Sequence, residues 1–90
     1  MNDQRRKAIE DVRTRLQEIR GEAESLAEQI DEIEEEERGY FDNMPESFQE
    51  GEKGEKAQAA IDNLQSARSS LDDVTTALDE ADNSLGDAEE

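Results

Sequence analysis

The chain has no cysteine, no histidine and no tryptophan, and only one proline and three aromatic residues among its 90. Without cysteine there can be neither a disulfide framework nor a thiolate metal site, and the redox compartment is left open. Without histidine as well, the commonest general base, thiol nucleophile and zinc ligands are missing. No apolar run approaches the length of a membrane span, and the first residues lack the apolar core of a signal peptide. A soluble, cytoplasmic protein without membrane contact is therefore expected. Basic residues are scarce too: ten Lys and Arg against 27 Asp and Glu leave a net charge of −17. Duplex DNA is bound by exchanging counterions for Lys and Arg, so direct nucleic-acid binding is not expected. An acidic chain attracts basic protein surfaces instead.

Apolar content is low, 31%, and 41% of residues are charged, a balance shared by disordered chains and long solvated helices. Spacing decides for helices. From Ile9 the apolar residues are Val12, Leu16, Ile19, Ala23, Leu26, Ile30 and Ile33, in steps that alternate between 3 and 4. In heptad terms Ile9, Leu16, Ala23 and Ile30 occupy a, and Val12, Ile19, Leu26 and Ile33 occupy d. A second series places Ala57, Leu64, Leu71, Leu78 and Leu85 at a, and Ala60, Ala67, Val74 and Ala81 at d. The pattern predicts a first helix over about 4–38, capped by Asn2 or Asp3 and closed by Gly39. A tip follows over 39–54, then a second helix over about 55–85 and an acidic tail over 86–90. Ser47 and Glu50 have capping-box spacing.

Charge predicts how the helices meet. Residues 1–20 carry six basic and four acidic side chains, whereas residues 72–90 carry eight acidic and no basic ones. Folding back antiparallel sets these segments side by side and offsets the unfavourable dipole placement of Arg5, Arg6 and Lys7 near one helix start. The expected fold is all-α, a long antiparallel helical hairpin or two-helix coiled coil. Pairing Leu26 with Leu71 sets Ala23 opposite Val74, Leu16 opposite Ala81 and Ile30 opposite Ala67. It also brings Arg13, Arg20 and Arg68 to Glu89, Asp82 and Glu34. Sliding one heptad, to Leu26 on Leu64, would stack Ala23 on Ala67 and leave a void. The seam is narrow, and Ala8, Ala27, Ile61 and Ala77 beside it could widen it into a four-helix homodimer.

The tip Tyr40-Phe41-Asp42-Asn43-Met44-Pro45-Glu46-Ser47-Phe48 holds every aromatic residue and the proline. Its apolar side chains either plug the end of the hairpin or project as anchors. The acids beside it, Glu34, Glu35, Glu36 and Glu37 with Asp42 and Glu46, suit a partner that has an apolar pocket in a basic surface. The candidate partner-binding set is thus Tyr40, Phe41, Met44 and Phe48 with these six carboxylates. Catalytic, cofactor and metal sites are not expected. The six serines have no visible activating base, and solvated acids have no burial to separate their pKa values. Asp82-Asn83-Ser84-Leu85-Gly86-Asp87 lacks the ligand spacing of a calcium loop.

The segment from Tyr40 to Leu64, with Asp42-Asn43-Met44-Pro45-Glu46-Ser47 and Glu52-Lys53-Gly54-Glu55-Lys56-Ala57, resembles a group of small acidic helical proteins of bacteriophages and prophages. The resemblance carries no established activity and no functional residues. It implies a viral context, in which a small acidic protein is expected to bind and inhibit a host DNA-acting or defence protein, by DNA mimicry in the sharpest version. The alternative is a structural assembly module whose seam and tip serve self-association only.

Overall fold

Helix formation starts at Asn2, whose side-chain oxygen accepts the Arg5 amide at 2.8 Å and satisfies one donor of the first turn. The structure, a computed structural model that describes residues 1–90, contains α1 (Asp3–Asp42), α2 (Glu46–Gln49) and α3 (Glu52–Glu89) and no strand. α1 and α3 lie antiparallel as a hairpin rod with principal extents of 68 × 15 × 12 Å, and the single turn of α2 packs on α3.

Both long helices outrun the expected boundaries. Gly39 does not end α1; the helix runs on to Asp42, and the Asn43 amide closes it on the Gly39 carbonyl at 3.1 Å. Gly86 does not end α3 either, so residues of the expected tail are helical to Glu89. α3 starts at Glu52, ahead of Gly54, and the true connection shrinks to residues 43–51. The expected capping box at Ser47 is absent: Pro45 precedes α2, and Glu50 closes it through its own amide on the Glu46 carbonyl, 3.1 Å. Gly54 is needed for space, not for conformation. A Cβ there would sit 2.0 Å from the Gln49 carbonyl oxygen, so only glycine lets the connection lie flat on the first turn of α3.

The helices do not meet along a and d. Residues withdrawn from solvent follow Ile9, Arg13, Leu16, Arg20, Ala23, Ala27, Ile30, Glu34, Glu37 and Phe41 on α1. On α3 they follow Gly54, Ala57, Ile61, Leu64, Arg68, Leu71, Thr75, Leu78, Asp82, Leu85 and Glu89. These are the a and e columns. The d column stays half exposed: Val12 45%, Ile19 48%, Leu26 51%, Ile33 51% and Val74 42%. The expected facing of Val74, Ala81 and Ala67 into the seam is therefore corrected. A helix pair encloses two adjacent columns, and the e column offers the better return. It buries Ala27 and Ile61 and carries charges that match across the pair.

The core is thin, and it is graded along the rod. Ala23, Ala27, Ala57, Ile61 and Gly54 are the only five buried residues, so the apolar part lies in the middle and towards the tip. Towards the open end the e column becomes ionic. Arg13 bonds Asp82 at 2.8 Å and Glu89 at 3.4 Å, and Arg6 donates to the Glu89 carbonyl at 2.9 Å. The expected Arg13–Glu89 pair is present. Arg20 takes Asp79 instead of Asp82, and Arg68 takes Asp31 instead of Glu34, each within one turn of its expected partner. These pairs set Leu26 level with Leu71–Val74 and not with Leu64.

Candidate functional site

Two stretches present chemistry that the fold does not use up: the tip, and one long side of the rod. At the tip the aromatic residues divide. Phe41 lies in the e column, half-buried, and its carbonyl accepts the Gln49 side-chain amide at 3.0 Å, which ties the connection to α1. Met44 is half-buried as well. Tyr40 and Phe48 remain 54% and 51% exposed. With Asn43, Met44, Pro45 and Lys53 they line an open groove of about 370 Å³. The Lys53 ammonium stands 5.5 Å from the centre of the Phe48 ring, within cation–π range, and so fixes a cation at the groove's edge. Pro45 and Lys53 are groove residues that the sequence reading did not select. Lys53 precedes Ala60 by one heptad, and carrying the α3 pattern one heptad earlier would have found it.

The acids around the tip are not equivalent. Glu34 is occupied: Arg38 approaches at 2.7 Å and Gln65 donates from α3 at 2.9 Å. The Arg38 hydrogen bond, helped by Gln65, holds its carboxyl below the ordinary range. It is a structural residue of the hairpin, not a free contact for a partner. Glu37 is half-buried at an a position. Glu35, Glu36, Asp42 and Glu46 are exposed and make no ion pair. Of the bases on the facing half of α3, Lys56 pairs with Glu52 at 3.2 Å and Lys53 serves the groove. Only Arg68 reaches across to α1, at Asp31.

The two long sides of the rod differ. One is closed by charge. Arg20 bridges Asp79 at 2.6 Å and also Glu24, and Arg68 bridges Asp31 at 3.1 Å and also Asp72. Hydrogen bonding to Asp79 raises the Arg20 guanidinium above its ordinary pKa, as Asp82 does for Arg13. A polar hollow of about 350 Å³ between Glu24, Glu28, Arg68 and Asp72 belongs to this side. The opposite side carries the d columns of both helices, which fall together because the helices are antiparallel and share one pattern. Tyr40 and Lys53, both d residues, line the same groove and mark that side at the tip. Along α3 it reads Ala60, Asn63, Ala67, Ser70, Val74, Ala77, Ala81 and Ser84, without a single charge.

No group of three or more carboxylates converges as a metal site, and Asp82–Asp87 is helical throughout rather than looped. No helix is long and apolar enough to cross a membrane. Fold and surface together define an acidic all-α helical hairpin with an apolar side and an apolar tip. No family model, curated protein or solved structure matches the chain.

Proposed function

We propose that the chain is a non-catalytic protein–protein interaction module whose tip engages a partner with an apolar projection and a basic surround. One observation carries this reading. An apolar groove formed by Tyr40, Met44, Pro45 and Phe48 stands open, and the flanking chain carries the exposed, unpaired carboxylates of Glu35, Glu36, Asp42 and Glu46. Apolar anchors supply affinity and surrounding charge supplies approach rate and selectivity. In its narrower form the module inhibits a host DNA-acting or defence protein by presenting carboxylates where DNA presents phosphates. That form is supported by the net charge of −17.

The test is capture from a host lysate on the immobilised protein across a salt series, with Tyr40→Ala/Phe41→Ala/Phe48→Ala as control. A captured protein that is released as screening shortens to about 3 Å near 1 M salt, and is absent from the control, supports the reading. Equal capture by both proteins refutes the tip as the contact, and capture indifferent to salt refutes the charge-mimic form. The assembly reading is favoured by a different observation, the exposed d column. Two variants separate them: loss of the oligomer in Phe41→Ala/Phe48→Ala supports assembly through the tip and its loss in Leu26→Glu supports assembly through that column, whereas lost capture in Phe41→Ala/Phe48→Ala with the oligomer retained supports the interaction module.

A further inference from the structure

We infer that the apolar side of the hairpin is an isologous interface that takes a second copy of this chain, with the two rods antiparallel and a two-fold axis at Leu26. The inference rests on the d columns and shares only Tyr40 with the groove at the tip. Val12, Ile19, Leu26, Ile33 and Tyr40 are each 45–54% exposed, although aliphatic residues at heptad spacing are what a helix seam buries. The row from Val12 to Tyr40 is about 42 Å long at 1.5 Å per residue, and two helices are roughly 20 Å wide. That gives ~800 Å² per copy, the size of a standard specific interface. The hairpin also buries only five residues on its own, so it has reason to bury more.

The identity of the occupant comes from symmetry in the residues. An isologous contact requires a surface that matches itself after a half-turn. About Leu26 the α1 row does so: Val12 meets the partner's Tyr40, Ile19 meets the partner's Ile33, and Leu26 meets its own copy. The flanking column does so in charge, because Arg15 comes to the partner's Glu36 on both sides of the axis. α3 obeys the same axis at the same level. The Arg20–Asp79 and Asp31–Arg68 pairs set Leu26 beside Leu71–Val74. A half-turn there lays Ser70 against the partner's Val74 and Ala67 against the partner's Ala77. These rows are small and uncharged, so the α3 helices can approach closely without burying an ion. The opposite arrangement, with tips together, would instead crowd the two acidic tip segments. Residues 22–37 contribute nine acids and no base per chain to that end. In the antiparallel dimer Tyr40 enters the contact, whereas Met44, Pro45 and Phe48 lie beyond it, and the remainder of one tip stays free at each end of a four-helix bundle.

The absence of cysteine makes the test direct, since any introduced thiol is unique. Sedimentation of the whole protein at about 100 µM should give twice the chain mass of 10.1 kDa. Leu26→Cys should form a disulfide-linked dimer under mild oxidation, because only a residue on the axis meets its own copy within the ~7 Å that a disulfide spans. Val12→Cys alone should not cross-link, whereas Val12→Cys mixed with Tyr40→Cys should. Leu26→Glu should weaken the dimer at least a hundredfold by burying two carboxylates together. Arg15→Glu should weaken it about threefold to tenfold, and Arg15→Glu/Glu36→Arg should restore it. A helical species of single-chain mass at that concentration overturns the inference. So does a dimer unmoved by Leu26→Glu. A dimer in which Leu26→Cys fails to cross-link overturns the antiparallel axis.

Discussion

Two glycines inside the long helices should respond to alanine with opposite signs. Gly21 is exposed on α1, and nothing lies within 4 Å of an added Cβ. Gly21→Ala gains helix propensity and loses unfolded-chain freedom, for a stabilisation of about 0.5–1 kcal/mol. Gly54 occupies the first turn of α3, where the same gain is available. There, however, the Cβ would lie 2.0 Å from the Gln49 carbonyl oxygen, 2.5 Å from its carbonyl carbon and 2.6 Å from its Cα. Ordinary contacts begin near 3.4 Å, so the connection would have to lift by more than 1 Å, and backbone cannot turn aside as a side chain can. Overpacking of this kind costs about 1–3 kcal/mol or more, against a propensity gain of at most ~1. The net expectation is destabilisation by about 1–2 kcal/mol. At roughly 4–8 °C per kcal/mol for a domain of this size, Gly21→Ala should melt about 2–8 °C higher and Gly54→Ala about 4–16 °C lower than the parent. Melting followed by circular dichroism at fixed protein concentration decides it. A Gly54→Ala protein as stable as Gly21→Ala would refute the close packing of the connection on α3.

Ile61→Ala should cost about 2–4 kcal/mol in denaturant unfolding, because Ile61 is 2% exposed and its loss leaves a cavity at the tip end of the seam. At a concentration low enough to keep the chain monomeric, Ile33→Ala should cost less than about 1 kcal/mol, since its side chain is half in water. Acid should loosen the hairpin through Asp82 and Glu34, whose carboxyls are held below the ordinary range by hydrogen bonds from Arg13 and from Arg38 and Gln65. With the folded pKa below the unfolded one, their stabilisation is complete above the unfolded value near 4 and is lost as pH falls below it. A pH series of thermal melts should therefore fall off below about pH 4 in the parent. It should fall off less in Asp82→Asn, which has already lost the Arg13 pair.

Most of the architecture was legible because each level of the sequence agrees with the next. Alternating steps of 3 and 4 specified two helices, and the opposed charges of residues 1–20 and 72–90 specified their antiparallel order. The helix ends were less legible. Gly39, Gly54 and Gly86 read as breaks, but each sits in a helix with ordinary backbone angles, since tertiary packing outweighs about 1 kcal/mol of propensity. The candidate site was half legible. Composition located the tip, yet an a and d seam would set Tyr40 inside and its neighbour Phe41 outside, the reverse of what the a and e seam does. Glu34 looked like its neighbours Glu35 and Glu36 and is distinguished by Arg38 one turn on and by Gln65 across the hairpin.

The seam itself is the most instructive difference. A strict a and d reading describes a two-stranded coiled coil, in which one apolar stripe meets another and nothing remains. This chain carries a third column. Position e holds Ala27, Phe41 and Ile61 towards the tip, and Arg13, Arg20, Asp82 and Glu89 towards the open end. Arginines at e on α1 answer acids on α3, so enclosing a and e satisfies charge and buries apolar surface together. Enclosing a and d would leave Ile61 in water and those charges without partners. The consequence is that d, the column with Leu26 and three isoleucine or valine neighbours on α1, is the one left outside. Two apolar columns and a mixed third, of which a hairpin can enclose only two, are the signature of a bundle of more than two helices. The exposed d column is thus the part of the sequence that the hairpin alone does not explain.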